Sequence, residues 1–380
     1  IYHLHNKNTI FAKNFRLIKR VLICPLNWGL GHATRCVPII KALTSQGCEV
    51  IIAADKAPLS YLQHIFPNIE FIKLPGFNPI YSRSNSQVLK MLASFPGAIM
   101  DFHRDRKAIK SIVRTHNIDI VISDNRFGCW SKEAHSVFIT HQLNIQIPSL
   151  WKWATPIINL FNNSYIRRYD EVWVPDSEEE PSLSGVLSHP FKLDKKISYI
   201  GLLSRFCNNE ANNKGEKGTK YLFILSGPEP QRTILEDIIL KQAKSTKDNI
   251  VILRAMPDSA DLRKDIPANV VMLNNADDSL FVHLIQDSEN IICRSGYSSL
   301  MDMVRLNRTA FLIPTPGQTE QEYLAKLHGD KGYFKWCKQS DFKIDNVRMP
   351  DISIHDKFDD NEEKINDFIE KWLNELLTTK

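Results

Sequence analysis

The chain has 380 residues, of which 43% are hydrophobic and 24% charged, so it is globular in proportion and longer than one hydrophobic core usually organises. Its formal charge of +5, from 48 basic and 43 acidic residues, argues against a nucleic-acid partner and fits an anionic ligand or an anionic membrane surface. The absence of a run of about 18 apolar residues argues against a spanning helix, and seven scattered cysteines indicate neither a disulfide framework nor a zinc site, which favours the cytoplasm.

Strand-like and helical stretches alternate along the chain. The first 20 residues are basic, lack the apolar core of a signal peptide and are predicted to be an extension before the first strand. Short runs rich in Ile and Val follow, and their lack of strict alternation is typical of strands buried on both faces of a parallel sheet. The longest helical stretch between them, 86–117, is expected to be interrupted at Pro96 and Gly97.

This alternation predicts an α/β fold with two Rossmann-like, doubly wound domains that face one cleft. We place the first domain at 1–175 and the second at 176–360, with an exposed polar loop at 207–220. The acidic end of the chain, 361–377, is predicted to be an amphipathic helix because its apolar residues recur at helical spacing.

A glycine-rich turn, NWGLGHATR, joins the first strand to the first helix. Gly29 and Gly31 allow a tight turn and a close approach to the backbone, and the helix start favours an anion such as a phosphate. The third glycine of the dinucleotide fingerprint is missing, which argues against a dehydrogenase. His32 is predicted to face the crevice at the strand ends, the alternative being a residue that packs against the helix start. Arg35 can pair with a phosphate or with a carboxylate.

The second half of the chain repeats this arrangement in the stretch 289–327. A strand ends in Arg294, Ser295 and Gly296, and a helix begins directly after them. Serine hydroxyls and a glycine at a helix start suit the binding of a phosphate.

Further polar residues follow in the same stretch. Asp302, about one turn into the helix, can hold two ribose hydroxyls, and Gln318, Gln321 and Glu322 bracket the start of the next helix. Each of them also fits an ordinary solvated helix position. Their common place at the ends of strands favours a binding site.

These motifs resemble those of the family 28 glycosyltransferases of GT-B fold, especially the group that forms lipid II. CRSGYSSLMD and the following LIPTPGQTEQEYLA are similar to the nucleotide-sugar-binding half of that family. The resemblance places Asp302 on an acidic residue that holds the donor ribose and Gln321 on the first of two glutamines. Glu322 replaces the second glutamine.

The amino-terminal half resembles the same family. GLGHATR is similar to its glycine-rich loop, and THQLN to a His-Glu-Gln-Asn element in which His141 and Asn144 are retained and the glutamate is lost. SGPEPQR stands where the family has a Gly-Gly-Ser-Gln-Gly-Ala loop and keeps Gly227. The resemblance also implies that the last helix crosses back to the first domain.

The resemblance implies transfer of a sugar from a UDP-sugar held by the second domain to a lipid-linked or glycan acceptor held by the first, without a metal or a cofactor. His32 and Asp124 are the candidates for the base that takes the proton of the acceptor hydroxyl, although Asp124 can equally fix its own loop. Arg294 and the helix start at 295–299 are expected to stabilise the departing diphosphate. The expected location is the cytoplasm, with peripheral contact to the inner membrane face.

Two alternatives remain. The glycine-rich loop also resembles that of the UDP-sugar hydrolases of pseudaminic acid synthesis, which share the fold and use the loop histidine to activate water. The lost glutamate in THQLN and the changed SGPEPQR loop fit a nucleotide-sugar-binding protein without activity.

Overall fold

A computed structural model describes residues 19–76, 87–147, 149–189, 196–206, 218–256, 263, 265–354, 357–358 and 363–378. The predicted extension before the first strand and most of the predicted loop at 207–220 lie outside these residues.

The first domain is built on a parallel sheet of seven strands in the order β3-β2-β1-β4-β5-β6-β7. Its strands are β1 (Arg20–Pro25), β2 (Glu49–Ala54), β3 (Glu70–Lys73), β4 (Ile120–Asp124), β5 (His135–Ile139), β6 (Glu171–Val174) and β7 (Lys196–Tyr199). Its helices are α1 (Gly31–Ser45), α2 (Lys56–Ile65), α3 (Gln87–Thr115) and α4 (Thr155–Ile166), and a 3₁₀ helix, Ser149–Ala154, precedes α4.

The second domain is built on a parallel sheet of six strands in the order β10-β9-β8-β11-β12-β13. Its strands are β8 (Thr219–Ile224), β9 (Ile250–Leu253), β10 (Val270–Leu273), β11 (Ser288–Cys293), β12 (Phe311–Leu312) and β13 (Lys335–Trp336). Its helices are α5 (Gln231–Ala243), α6 (Asp278–Asp287), α7 (Tyr297–Arg305) and α8 (Thr319–Asp330), and the last helix of the chain is α9 (Glu363–Thr378). The predicted fold of two doubly wound domains is confirmed.

Burial explains the composition of the strands. In β1 every residue from Val21 to Pro25 is buried, and in β4 all five residues are buried. Helices cover both faces of such a sheet, so both faces of these strands take apolar side chains, and β4 is polar only at its last two residues, Ser123 and Asp124. The non-alternating pattern in the sequence has this physical origin.

Two sequence-based boundaries need correction. β7 pairs with β6 in the first sheet, so the domain division predicted at 175 has to move past Tyr199. β7 is a short, half-polar edge strand, which gives a weak apolar signal in the sequence. The interruption predicted at Pro96 and Gly97 is also wrong, because α3 continues through both residues. A proline removes one N–H donor, and the flanking turns can keep their own hydrogen bonds.

The last helix packs against the first domain. Trp372 of α9 lies with its ring centroid 4.8 Å from that of Trp173, and its Nε1 donates to Glu171 at 3.1 Å. Both partners belong to β6 of the first sheet. The amphipathic pattern at the end of the sequence therefore marks a helix that joins the end of the chain to its first domain.

The two sheets direct the carboxyl ends of their central strands toward a common region. In the first sheet the strand order reverses between β1 and β4, and in the second between β8 and β11. Ligands of open α/β sheets bind in the crevice at such a switch point. The loops that follow these four strands contain most of the residues that the sequence indicated.

Candidate active site

The first-domain part of the site lies at the switch point between β1 and β4. Asp124 is the last residue of β4, and its carbonyl accepts a hydrogen bond from Leu26 N at 3.1 Å, just after β1. Gly29, in the turn before α1, has a φ of +76°, a conformation that glycine adopts without strain. No described atom lies within 4 Å of the position a Cβ would take on Gly29, so the turn leaves space beside it.

Three side chains converge directly after this turn. Arg35 donates from Nε to Asp124 Oδ2 at 2.6 Å and from Nη2 to Asp124 Oδ1 in a bidentate pair. His32 Nδ1 lies 3.2 Å from Asp124 Oδ2 and 2.8 Å from Arg35 Nη2. Both charged residues of the pair are buried, whereas the side chain of His32 keeps 15% of its surface exposed. The imidazole is therefore the member of the cluster that a ligand can reach.

Electrostatics fix the protonation state of this cluster. Burial alone would raise the pKa of Asp124, but Arg35 and His32 lower it to about 2, so the carboxylate is charged at neutral pH. Burial, assisted by Arg35, lowers the pKa of His32 below its usual value, although Asp124 acts in the opposite direction. A neutral imidazole beside a carboxylate is the form that can accept a proton.

His32 Nδ1 can accept from Arg35 Nη2, which only donates, or it can donate to Asp124 Oδ2. In the second tautomer the lone pair is on Nε2, which can take a proton from a hydroxyl group or from water. The arrangement has the logic of a base oriented by a buried carboxylate. The described side-chain contacts of Asp124 are with His32, Arg35 and Cys36 of α1, and its full burial argues against direct contact with a substrate.

The second domain contributes a carboxylate to the same cluster. Glu320, in the first turn of α8, accepts a hydrogen bond from His141 Nε2 at 2.7 Å and another from Gln142 Nε2. His141 Nδ1 faces Arg35 Nη1 at 3.4 Å, and its ring stacks on Tyr297 with centroids 4.0 Å apart. Glu320, His141, Arg35 and Asp124 thus form a continuous polar chain across the domain interface.

Helix starts from both domains meet at this place. Ser298, in the first turn of α7, donates from Oγ to the carbonyl of Gly31 at 3.0 Å. No side chain among the described residues caps the start of α7, whose N-cap residue is Gly296. Each helix start carries roughly half a positive charge, so the convergence of α1 and α7 favours an anion.

Other predicted residues of the second domain hold the start of α8 in place. The side chain of Gln321 accepts a hydrogen bond from Thr315 N at 2.8 Å and donates one to Gln318 Oε1 at 2.5 Å. The main-chain carbonyl of Gln321 accepts a hydrogen bond from Ser295 Oγ at 2.8 Å. Glu322 accepts from Gly317 N at 3.0 Å. These contacts connect the loops after β11 and β12.

Arg294 does not have the place that the sequence suggested. Its side chain is fully buried, and its guanidinium donates to the main-chain carbonyls of Ile313, Pro314 and Gln231. Ile313 and Pro314 directly follow β12 and Gln231 begins α5, so the arginine joins these two segments through main-chain acceptors. The predicted contact of Arg294 with a diphosphate is therefore corrected to a structural role.

Asp302 is buried beneath residues 200–206, the described part of the linker that leads from β7 to the second domain. Its Oδ1 accepts a hydrogen bond from Ser204 Oγ at 2.7 Å. Burial raises the pKa of Asp302 to about 6, although Arg205 and Ser204 act in the opposite direction. Binding of a ribose diol by Asp302 stays a prediction, and it requires the diol to compete with Ser204 or to use Oδ2.

Two further predicted residues act on the backbone of loops. Asn144 donates from Nδ2 to the carbonyl of Val186 at 3.1 Å, which holds the loop after His141 against the segment 184–188. Gly227 has a φ of +95°, and a Cβ there would lie 3.5 Å from Thr315 Oγ1. Both residues therefore set the conformation of a loop.

Sequence reasoning missed Glu320 and Tyr297 as members of the site, and it predicted Ser298 as a phosphate donor without its contact with Gly31. Glu320 stands between two predicted residues, Gln318 and Gln321, but an acidic residue in a first helical turn is common and gave no signal of its own. The close approach of Ser298 explains Gly31, because a Cβ on that glycine would lie 3.0 Å from the serine hydroxyl.

A metal-binding cluster and a membrane-spanning helix are both absent from the described residues. These residues contain no group of three His, Cys, Asp or Glu side chains that could hold a metal ion. None of their helices is long and apolar enough to cross a membrane.

Comparisons with known proteins identify the second half of the chain most directly. Residues 210–350 match the family model of the glycosyltransferase family 28 C-terminal domain. A protein of Methanosarcina acetivorans named "Uncharacterized glycosyltransferase" is 24% identical over 334 residues, which cover 83% of each chain. A protein of the same name from Methanosarcina mazei is 22% identical over 343 residues, covering 84% of this chain and 86% of its own.

Solved structures agree on the architecture. The glycosyltransferase of kitacinnamycin superposes with a TM-score of 0.62 at 13% identity, covering 94% of this chain and 99% of its own. SnogD from Streptomyces nogalater gives 0.58 at 14% identity with 95% and 99% covered, and MurG of Acinetobacter baumannii gives 0.53 at 14% identity with 93% and 99% covered. The resemblance inferred from the sequence is confirmed: the chain has the GT-B fold, and its residues 210–350 match the model of the glycosyltransferase family 28 C-terminal domain.

Proposed function

We propose that this protein transfers a sugar from a UDP-sugar, bound by the second domain, to the hydroxyl group of a lipid-linked or glycan acceptor bound by the first. Glycosyl transfer in general is supported by the family 28 domain and the named relatives. The observation that carries the finer proposal is the contact of His32 with Asp124 and Arg35 beside the start of α7. Burial lowers the pKa of His32, which supports a neutral imidazole there.

In this mechanism His32 Nε2 takes the proton of the acceptor hydroxyl as its oxygen attacks the sugar. Asp124 stabilises the imidazolium that forms, and Arg35 holds Asp124 in its charged form. Charge develops on the departing diphosphate at the same time. The start of α7 supplies backbone N–H groups and a positive dipole end there, which is the support for a transfer that needs no metal.

An exposed face beside the site supports an acceptor that carries a lipid. Trp153, Ile157 and Leu160 recur at helical spacing and are 69%, 65% and 68% exposed. The stretch 145–168 around them contains no acidic residue and three basic ones. Asn159 of α4 accepts from Ile145 N at 3.0 Å, which joins this face to the loop of His141. Aromatic, apolar and basic side chains together suit an anionic membrane surface.

Vesicle binding tests this part of the proposal. We expect the protein to co-sediment with vesicles of anionic phospholipid, and Trp153→Ala together with Leu160→Ala to reduce the bound fraction severalfold, because each truncation removes apolar area from the contact. Neutral vesicles serve as the control. Equal binding by the double variant would contradict a membrane contact through this face.

Turnover tests the reaction itself. Purified protein is incubated with UDP-N-acetylglucosamine, UDP-glucose or UDP-galactose, with and without a polyprenyl-phosphate-linked or soluble glycan acceptor, and UDP release is measured. Release that depends on the acceptor and persists in EDTA is the expected result. Release without an acceptor would favour the hydrolase, in which the same His32 activates water. Binding of UDP without release from any donor would favour the silent binder.

A further inference from the structure

Glu320 carries a carboxylate from the second domain into the first-domain site. It begins the first turn of α8, yet both of its side-chain oxygens are used by the loop that follows β5 in the other domain. Burial alone would raise the pKa of Glu320, but His141 and Arg35 lower it, so the group enters the site as an anion.

The position that Glu320 contacts is the one where the loop lacks a carboxylate. THQLN has Gln142 directly after His141, where the resembling element has a glutamate. The Nε2 of Gln142 donates to Glu320 Oε2, and His141 Nε2 lies 2.7 Å from Oε1. The negative charge missing from the loop is thus replaced across the cleft.

We propose that Glu320 is a positioning residue that completes the active site when the two domains are in contact, by fixing the tautomer of His141 and, through it, the orientation of Arg35. The proposal rests on the proposed function for its effect on turnover. Its effect on the two histidines can be measured without any substrate.

The hydrogen bonds give this role a definite path. Because Glu320 accepts from Nε2–H of His141, the Nδ1 of that ring has the lone pair and accepts from Arg35 Nη1 at 3.4 Å. Arg35 is then held on one side by His141 and on the other by Asp124, with Nη2 at 2.8 Å from His32 Nδ1. Tyr297, stacked on His141 at 4.0 Å, keeps the ring in plane with this path.

The decisive variant is Glu320→Gln, because the two side chains are nearly equal in size. The glutamine has one acceptor oxygen for the two donors, His141 Nε2 and Gln142 Nε2, so its NH2 group faces one of them, and the negative charge beside His141 is lost. Adding Gln142→Glu in the same chain restores a donor opposite an acceptor and returns the negative charge to the loop. Asp330→Asn, at the exposed far end of α8, is the matched control for the loss of one carboxylate from this helix.

We expect Glu320→Gln to lower kcat by about 10²-fold with little change in the KM for the UDP-sugar, the scale of misplaced catalytic groups. The exchange variant with Gln142→Glu should recover most of that loss, and Asp330→Asn should match the parent. Parental kcat in Glu320→Gln, or a loss that the exchange does not reverse, would overturn the proposal. If Glu320→Gln does not fold, Glu320→Asp is measured instead. Its shorter side chain moves the carboxylate away from His141, and the same loss of kcat is expected.

Nitrogen-15 NMR of labelled histidines tests the path itself. Glu320→Gln should shift the ring signals of His141 and also those of His32, which Glu320 does not touch. Unchanged His32 signals would refute the path through Arg35, whether or not any donor is turned over. If the parent releases UDP from no donor, the proposed function fails, and this spectrum alone decides the role of Glu320.

Discussion

Arg35 is the residue on which the first-domain site depends. It neutralises the buried Asp124, contacts His32 and faces His141, so one guanidinium orients three partners. Asp124 raises the pKa of Arg35 even though burial acts in the opposite direction, and the pair stays charged. Beside this ion pair His32 is neutral at physiological pH, as a base must be before reaction.

Replacing His32 by alanine separates a base from a packing residue. We expect turnover to fall by about 10² to 10⁴ while UDP affinity and melting temperature stay close to the parent, because a proton acceptor acts only in the transition state. His64→Ala, on the exposed face of α2, is the control. A lower melting temperature with parental turnover in the folded fraction would show that His32 serves packing.

Asp302 should make the stability of the protein fall as pH rises. Its pKa is about 6 in the folded chain and 3.8 in its ordinary state, so between these values the folded form holds more protons than the unfolded form. The free energy of unfolding therefore decreases across this window. Asp302→Asn should remove that loss and stabilise the protein at pH 7 by about 1 to 3 kcal/mol, and by much less at pH 4.

The melting temperatures of the parent and of Asp302→Asn, measured at pH 4 and at pH 7, test this predicted pH dependence of stability. Equal differences at both pH values would contradict a raised pKa. The same variant should bind UDP more weakly by about 1 to 3 kcal/mol if a charged carboxylate holds the ribose. Stabilisation without any change in UDP affinity would separate the buried charge from the binding site.

The starts of α1 and α7 are in direct contact across the domains. Gly31 exists at this point because α7 approaches the backbone of α1, with Ser298 Oγ at hydrogen-bond distance from the Gly31 carbonyl. The sequence predicted a ligand as the close neighbour of Gly31. The structure shows a helix of the second domain there, which keeps two positive helix ends together beside Gly29.

Gly31→Ala should strain this contact. The added Cβ would lie 3.0 Å from Ser298 Oγ and 3.3 Å from Ser298 Cβ, so α7 has to shift. We expect a loss of about 1 to 3 kcal/mol in stability, the usual cost of overpacking, together with reduced turnover. Ser298→Ala in the same chain should return part of the stability, because it removes the nearer atom. Additive effects of the two substitutions would show that they do not interact.

One hydrophobic cluster extends across both domains, beside further clusters within each domain. A single cluster of buried apolar residues includes Ile23 of the first sheet, Leu222 of the second, Tyr297 of α7 and Trp372 of α9. The linker adds a contact, since Leu203 N lies 3.3 Å from the sulfur of Met301. Such continuous packing couples the folding of both halves.

We therefore expect a single unfolding transition in scanning calorimetry. UDP at about 100 times its dissociation constant should stabilise the whole chain by about 2.7 kcal/mol and shift that transition as one. Two transitions, of which UDP shifts only one, would show that the domains unfold independently.

The sequence by itself determined the two βα series, the glycine turn and the strand ends that bear the polar residues. These follow from local rules: the apolar period of buried strands, the conformational freedom of glycine and the polarity of helix starts. It also predicted His32 and Asp124 as site residues from their place at the ends of strands, and His141 from the resemblance of THQLN to a family element.

Only the tertiary structure decided which side chains meet. Glu320 contacts His141 across 179 residues, and Ser298 contacts Gly31 across 267. The same packing turned Arg294 toward main-chain carbonyls and placed Asp302 under the linker. The direction of a side chain depends on neighbours that are distant in sequence, and short-range periodicity carries no information about them.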